Sequence, residues 1–182
     1  MKIAIIFLFM LFPAMMKSQD IIPSSTEVLN TAEATASKEH KKIFLMFHAS
    51  WCGWCKKMDK SMEDAAIIKF FTDNYIIVHL TVMESPTKKA LENPGAFDLM
   101  KKYNAGDAGL PFFVILNEDG DLLADSYIKP LEGKAAPGKL SNTGCPSEDN
   151  EVAYFISILK KTSSLNDKEL TMISDRFKKN KS

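Results

Sequence analysis

Three mostly apolar runs predict the buried strands of a central sheet. They lie at residues 43–47, 75–82 and 112–116, and each has the length and the β-branched or aromatic content typical of a strand. Residues 117–120, Asn-Glu-Asp-Gly, predict a tight turn because the glycine can adopt a positive φ. The pattern therefore predicts that residues 122–127 return as a fourth strand in a hairpin.

Helical spacing and capping patterns lie between and after these strands. Ser24 followed by Glu27 is a capping box, which predicts a first helix that ends near residues 38–42. Further helices are expected at residues 52–62, 65–72, 96–103, 151–161 and from the Asn166 cap onward. The connection at residues 129–150 is rich in Gly and Pro and long, so it is expected to be either functional or mobile.

The N-terminus has a different character from the rest of the chain. Lys2 precedes about 14 mostly apolar residues, which suit a signal-peptide core and fall short of the roughly 20 residues that span a membrane. We expect residues 1–18 to be a signal peptide and residues 19–182 to be one domain, with an amphipathic helix and basic tail at residues 166–182. The protein is then periplasmic or secreted. An uncleaved hydrophobic anchor is the alternative.

The charge balance gives no sign of a polyanionic partner. Lys plus Arg and Asp plus Glu number 23 each, so neither nucleic acid nor an anionic membrane surface is indicated. A chain of 182 residues supports a single domain with a substantial core. We expect a monomer that has no membrane association once the signal is removed.

Cys52 and Cys55 lie between a predicted strand and a predicted helix, in the sequence Trp-Cys-Gly-Trp-Cys-Lys at residues 51–56. A helix N-terminus lowers the pKa of a thiol from its free value of about 8.5 and favours the reactive thiolate. Position thus indicates redox chemistry at Cys52. An inert disulfide between neighbours is the structural alternative, although so small a ring would constrain very little chain.

Half of a zinc site is a second alternative for two cysteines at this spacing, but a closed zinc site needs four ligands. The other cysteine and histidines show no ligand spacing; they are Cys145, His40, His48 and His79. No metal and no bound cofactor are therefore expected. His79 lies within an apolar run and is interpreted as a packed core residue.

Residues 47–56 resemble the active-site segment of the thioredoxin superfamily. Residues 109–116, which begin Gly-Leu-Pro, resemble the strand that a cis-proline opens opposite the cysteines in that family. The two segments lie about 60 residues apart, and the resemblance extends over roughly residues 24–163. It implies an α/β, thioredoxin-like fold: a central mixed sheet of about four strands, covered by helices on both faces, with an extra C-terminal helix.

The resemblance also implies the chemistry. Cys52 is expected to attack and Cys55 to resolve, so that a CxxC dithiol or disulfide exchanges with protein substrates and with an unidentified redox partner, more as a reductase than as an oxidase. The expected substrate-binding residues are Trp51, Gly53, Trp54, Leu110 and Pro111. A partner-binding or metal-handling module without catalysis is the alternative function.

Two further residues are candidate modulators of the pair. His48 ends the predicted strand and could approach the cysteines, where a cationic imidazole would favour the thiolate. A solvated strand end is its alternative interpretation. Lys56 directly follows Cys55.

The sequence departs from the thioredoxin pattern at two positions, and it carries an odd cysteine. Met46 occupies the position of the family's buried acid, six residues before Cys52, and Trp54 replaces a proline inside the motif. The absent acid makes fast dithiol reduction less expected. Cys145 is interpreted as a free thiol in a surface loop, with intermolecular pairing or regulation as the alternative.

Overall fold

A four-stranded sheet forms the centre of the molecule. The computed structural model describes residues 21–129 and 140–181. Its strands are β1 (Lys42–His48), β2 (Tyr75–Thr81), β3 (Phe112–Leu116) and β4 (Leu122–Asp125). They lie in the order β2-β1-β3-β4; β1 and β2 are parallel, and the other two pairs are antiparallel. The predicted mixed sheet is confirmed.

Six α-helices surround the sheet in the described residues. They are α1 (Ser25–Glu39), α2 (Gly53–Met62), α3 (Ile68–Thr72), α4 (Ala96–Lys102), α5 (Asp149–Thr162) and α6 (Asp167–Lys178). A 3-10 helix at Pro86–Leu91 lies between β2 and α4. No described helix is both long enough and apolar enough to cross a lipid bilayer.

Strand β1 is buried on both faces, which explains its continuous apolar run. Phe44 and Met46 point into a core formed with α2, α3, α5 and α6. Ile43 and Leu45 point the other way, into a core formed with α1 and α4. Successive side chains of a strand alternate between the two faces, so one apolar run serves two cores. Helices on both faces are confirmed, as is the extra C-terminal helix α6.

The predicted capping and turn signals correspond to real structure. The capping box of Ser24 and Glu27 is present at α1, and Asn166 caps α6. Gly120 has a φ of 84°, which favours glycine in the turn between β3 and β4. The predicted fourth strand is shorter than expected and ends at Asp125. Beyond it, Tyr127 pairs with Asn142 in an isolated β-bridge.

The end of the chain packs back on the molecule. Asn180, in the segment predicted as a basic tail, is only 3% exposed. Its side chain accepts a hydrogen bond from the Ser61 hydroxyl of α2 at 3.0 Å and donates to the Pro146 carbonyl at 3.2 Å. The C-terminal turn thus connects the helix that follows the cysteines with the segment that follows residue 140.

Candidate functional site

Cys52 and Cys55 form a disulfide at the start of α2, with their Cα atoms 5.3 Å apart. Cys52 is the N-cap residue of the helix, and its Sγ accepts a hydrogen bond from the backbone N–H of Cys55 at 3.0 Å. The predicted helix N-terminus is therefore present at the first cysteine. Both cysteines are buried in this oxidised form, at 3% and 1% exposure. The capping position, and not exposure, distinguishes Cys52 from Cys55.

The loop before β3 lies against the disulfide. The Leu110–Pro111 peptide bond is cis, as the family resemblance implies. The side chain of Leu110 packs on the small cluster formed by Ala49, Cys52 and Cys55. Two segments nearly 60 residues apart in sequence therefore meet at this cluster.

The two tryptophans border this site with large exposed surfaces. Trp51 is 56% exposed and Trp54 is 49% exposed. The ammonium of Lys57 lies 4.7 Å from the centre of the Trp54 ring, within cation–π distance. A groove of about 480 Å³ runs from Trp54 past Gly109 and Leu110 to residues 141–145. The groove is open and large enough to accept an extended chain.

Gly53 and Lys56, two of the predicted site residues, make few contacts. A Cβ atom at Gly53 would meet nothing within 4 Å, so packing does not require glycine at this position. Lys56 is exposed on α2, and its backbone N–H donates to the Cys52 carbonyl at 3.3 Å. The next lysine, Lys57, is the one that contacts the rim of the site.

The loop that precedes Cys52 is held by the chain that follows β2. The carboxylate of Glu84 accepts hydrogen bonds from the backbone N–H of Ser50 and, at 2.8 Å, from the Ser50 hydroxyl. The indole N–H of Trp51 donates to the Met83 carbonyl at 2.8 Å. Glu84 is buried, and the Ser50 N–H holds the pKa of its carboxyl below the ordinary value of 4.5, against the effect of burial.

The loop that contains Pro111 is held by residues 141–144. This segment runs beside residues 126–128, with hydrogen bonds from the Ile128 N–H to the Ser141 carbonyl and from the Thr143 N–H to the Ser126 carbonyl. It places the Asn142 side chain over the loop. The Nδ2 group of Asn142 donates to the Gly109 carbonyl at 2.8 Å and to the Pro111 carbonyl at 3.0 Å.

His48 makes its polar contacts with β2. Its Nε2 lies 3.2 Å from the Thr81 hydroxyl, and its ring centre lies 5.1 Å from that of His79. Burial, and then the neighbouring His79, lower the pKa of His48 below the ordinary 6.5. A neutral imidazole is therefore favoured at neutral pH, which argues against the cationic role considered from the sequence.

His79 is not the packed core residue that its apolar strand suggested. It is half-buried, and its Nε2 lies 2.9 Å from the Asp59 carboxylate of α2. The reason is its position: β2 is an edge strand, so a residue on the face toward α2 can reach a polar partner at the margin of the core.

Met46 is 1% exposed and lies in the core beside α2. The apolar replacement of the family's acid is therefore a real feature of the interior. Within residues 21–129 and 140–181, no group of three His, Cys, Asp or Glu side chains is arranged to hold a metal ion.

Cys145 was expected in a surface loop, and this prediction is wrong. The residue is 4% exposed and belongs to the core that contains Met46. The chain from residue 141 packs against the body of the molecule, and the Asn180 amide lies 3.4 Å from the Cys145 sulfur. Burial raises the pKa of this thiol to about 12. The part of the long connection at residues 130–139 lies outside the described residues, as does the predicted signal peptide.

Sequence reasoning missed the two residues that hold the loops, Glu84 and Asn142. Both lie in polar stretches that a pattern search assigns to connections. A signal did exist for Glu84, because an acidic residue directly after a predicted strand can reach the next loop at the same edge of a sheet. No such local signal marks Asn142, which depends on the course of a long connection.

Comparison with known proteins identifies relatives of this chain. Residues 29–136 match the family model described as a thioredoxin-like domain. Protein disulfide isomerase-like 2-2 of Oryza sativa subsp. japonica is 26% identical over an alignment of 163 residues, and the match covers 85% of this chain and 41% of that protein. The chain thus spans less than half the length of this relative. Protein disulfide-isomerase A5 of Mus musculus is 59% identical over 29 residues, 16% of this chain and 6% of that protein.

A similar solved structure is the disulphide isomerase from Xylella fastidiosa Temecula1. It is 23% identical, with a TM-score of 0.47, and the match covers 60% of this chain and 77% of that one.

Proposed function

Because the chain belongs to the thioredoxin-like domain family, we propose that it is a thiol–disulfide oxidoreductase whose working group is the Cys52–Cys55 pair. The observation that carries this proposal is the geometry at the start of α2. Cys52 caps the helix, its sulfur accepts a hydrogen bond from the Cys55 N–H, and Leu110 before the cis-proline packs on the cluster that contains both cysteines. The names of two relatives, both protein disulfide isomerases, support the same class of chemistry.

The reaction is a pair of exchanges at sulfur. In the reduced protein the Cys52 thiolate attacks one sulfur of a substrate disulfide; that S–S bond breaks, a mixed disulfide forms, and the released substrate thiolate takes up a proton. Cys55 then loses its proton and attacks the Cys52 sulfur. The mixed disulfide breaks, the second substrate thiolate leaves and is protonated, and the Cys52–Cys55 disulfide remains. Two electrons and two protons have passed to the substrate.

The helix N-terminus assigns the attacking role to Cys52 in this proposal. The free N–H groups and the positive end of the dipole favour a thiolate at the N-cap, whereas Cys55 lies inside the first turn of the helix. Trp51, Gly53 and Trp54 would border the bound substrate, and Leu110 and Pro111 would present the backbone along which its chain extends.

Trapping of mixed disulfides tests these roles. Cys55→Ser, expressed with its N-terminal segment, should accumulate disulfide-linked protein complexes on non-reducing gels, because the second exchange is blocked. Cys52→Ser should show none. Identical bands from the two variants, or bands from Cys52→Ser alone, would show that the roles are misassigned. If neither folded variant traps a protein and the wild-type protein does not support insulin reduction, the binding-module alternative replaces the enzyme.

The direction of transfer that we propose is reduction of substrate disulfides. The reduction potential of the Cys52–Cys55 pair, measured at equilibrium with glutathione or dithiothreitol buffers, tests this direction. A value near that of thioredoxin, about −270 mV, agrees with a reductase, and a value near that of DsbA, about −120 mV, would make the protein an oxidase.

We also propose that the protein works outside the cytoplasm as a monomer. The support for export is the apolar segment at residues 3–16 with Lys2 before it. The mature chain should begin near Gln19, and its substrates should be exported proteins with disulfides. Mass spectrometry of the exported protein that found an intact Met1 would contradict the signal cleavage, and sedimentation would test the monomer.

A further inference from the structure

The Asn142 side chain uses all of its hydrogen-bonding groups in one arrangement. Its Nδ2 donates to the carbonyls of Gly109 and Pro111, at 2.8 and 3.0 Å, and its Oδ1 accepts the Gly144 N–H at 3.1 Å. The partners fix the orientation of the amide, since a flipped side chain would set its oxygen against two carbonyl oxygens. An amide is the group that fits here, and a carboxylate does not.

The two carbonyls that Asn142 holds lie on either side of Leu110. Within the described parts of the chain, the backbone N–H and C=O of Leu110 make no hydrogen bond, while its side chain packs on the cysteine pair. One amide therefore fixes the chain before and after a residue whose own backbone groups are free. Such free groups beside a reactive disulfide are suited to pairing with an extended peptide.

The segment that supplies Asn142 is itself held in place. Its neighbours Ser141 and Thr143 are hydrogen-bonded to residues 126–128, and a Cβ built on Gly144 would lie 3.9 Å from Pro111. The groove beside Leu110 has residues 141–145 as one wall and Trp54 as the other. The amide thus lies between a fixed wall and the loop that faces the substrate.

We propose that Asn142 is a positioning residue that holds the Leu110 backbone in place to pair with the extended peptide chain of a disulfide substrate. The inference rests on the proposed oxidoreductase function, because it assigns a role in the same site. It concerns substrates with a peptide backbone. A small disulfide has no chain to pair with Leu110 and gains nothing from the amide.

Pre-reduced protein, freed of excess reductant, provides the test. Its second-order rate constants are measured with insulin as the peptide disulfide and with 5,5′-dithiobis(2-nitrobenzoate) as the small disulfide. Asn142→Ala and Asn142→Asp should lower the insulin rate constant about tenfold, the size expected for loss of one or two hydrogen bonds, and leave the other rate constant unchanged. Asn142→Ser retains one donor, and its rate constant should lie between those of the wild type and Asn142→Ala.

Asn74 offers a matched control far from the site. Its amide also bridges two segments: Nδ2 donates to the Phe70 carbonyl at 2.9 Å, and Oδ1 accepts the Ser164 N–H at 2.9 Å. Asn74→Asp should lower the thermal stability as Asn142→Asp does, without changing the ratio of the two rate constants. The ratio therefore separates positioning from general destabilisation.

The outcomes distinguish failure of the proposed role of Asn142 from failure of the proposed oxidoreductase function. An unchanged insulin rate constant in folded Asn142→Ala, or an equal fall with both disulfides, would overturn the role of Asn142 alone. A wild-type protein that reduced neither disulfide would overturn the proposed function, and the role of Asn142 with it. If the alanine and aspartate variants do not fold, an unchanged ratio in Asn142→Ser overturns the role.

Discussion

The two loops that meet at the disulfide are held in different ways. The loop before Cys52 is held by the Glu84 carboxylate, which accepts both the N–H and the hydroxyl of Ser50. The loop before β3 is held by the Asn142 amide, which donates to two carbonyls. Each holding residue comes from a polar connection and neither touches a sulfur. The site therefore has two supports of opposite hydrogen-bonding character.

The difference matters because only one of the supports titrates. A hydrogen-bond acceptor for N–H and O–H groups is strongest when it is an ionised carboxylate. The support that Glu84 gives to Ser50 therefore depends on the charge of Glu84. A donor to carbonyls cannot be a carboxylate, and the amide at the second support is neutral at every pH of interest. We therefore expect the loop before Cys52 to respond to acid and the loop of Pro111 not to respond.

The largest expected effect concerns whether the two loops alone determine the reactivity of the Cys52–Cys55 pair. Met46 is buried where the family has an acid, so Met46→Asp tests whether a base is the missing component. The variant should lose roughly 3 kcal/mol of stability, since it replaces a packed apolar side chain with a carboxyl in the core. Burial raises the pKa of such an acid, so the loss should grow as pH rises above its unfolded value of about 3.9. Denaturant unfolding at pH 4 and pH 8 measures it.

The same variant should reduce insulin faster per folded molecule, because the carboxylate can accept the Cys55 proton. Met100→Asp is the control: Met100 is equally buried, but it lies on α4 across the sheet from Met46. It should cost similar stability and give no gain in rate. A folded Met46→Asp protein with unchanged turnover would show that the position does not limit the reaction.

The second prediction concerns the support that titrates. Glu84 has a lowered pKa, so its ionised form favours the folded state above about pH 4.5, and this contribution is lost as the pH falls through the folded pKa. Glu84→Gln should lower the melting temperature more at pH 7 than at pH 3. It should also lower the rate at which iodoacetamide alkylates Cys52 in the reduced protein, by up to about tenfold, because a loosened loop holds the Cys52 sulfur less firmly at the helix N-terminus that favours its thiolate.

Glu27 is a closely matched control for Glu84. It accepts hydrogen bonds from the N–H and the hydroxyl of Ser24, at 2.7 and 2.8 Å, and the Ser24 N–H lowers its pKa in the same way. Glu27 lies at the start of α1, so Glu27→Gln should change stability with the same pH sign and leave the alkylation rate unchanged. If both variants alter alkylation equally, or neither does, Glu84 has no special role at the site.

The contrast between the supports also shows how far the sequence predicts this molecule. The strands were predictable because β1 and β3 are apolar and buried on both faces and β2 is mostly apolar. The capping box at Ser24 and the turn before Gly120 are local signals, and both correspond to structure. Polar residues in the sequence carry less information, because their partners depend on which segments the fold brings together.

The residues of the site show the same difference between local motifs and contacts that depend on the fold. Cys52, Cys55 and Pro111 belong to short motifs whose meaning is local, and the structure packs Leu110, the residue before the cis-proline, on the cluster that contains the two cysteines. Glu84 and Asn142 act across 34 and 33 residues of sequence, to Ser50 and Gly109, and no periodicity marks such pairs. The burial of Cys145 was missed for the same reason: it depends on Asn180 returning from the end of the chain.

The smallest expected effect concerns the second support. Cys145 lies three residues after Asn142 and lines the same groove, so the segment could act through its thiol and not through the amide. Burial raises the pKa of that thiol to about 12, and so it stays protonated and unreactive near pH 8. Iodoacetamide at pH 8 should therefore modify Cys52 of the reduced native protein, whose thiolate the helix N-terminus favours, and should modify Cys145 only after denaturation. Cys145→Ser should leave the insulin rate constant within about twofold of the wild type, since serine is close in size and meets the same Asn180 amide. A marked fall in the insulin rate constant of Cys145→Ser, in which Asn142 is intact, would show that residues 141–145 act through the thiol and not through the amide. Rapid alkylation of Cys145 in the native protein would contradict its burial.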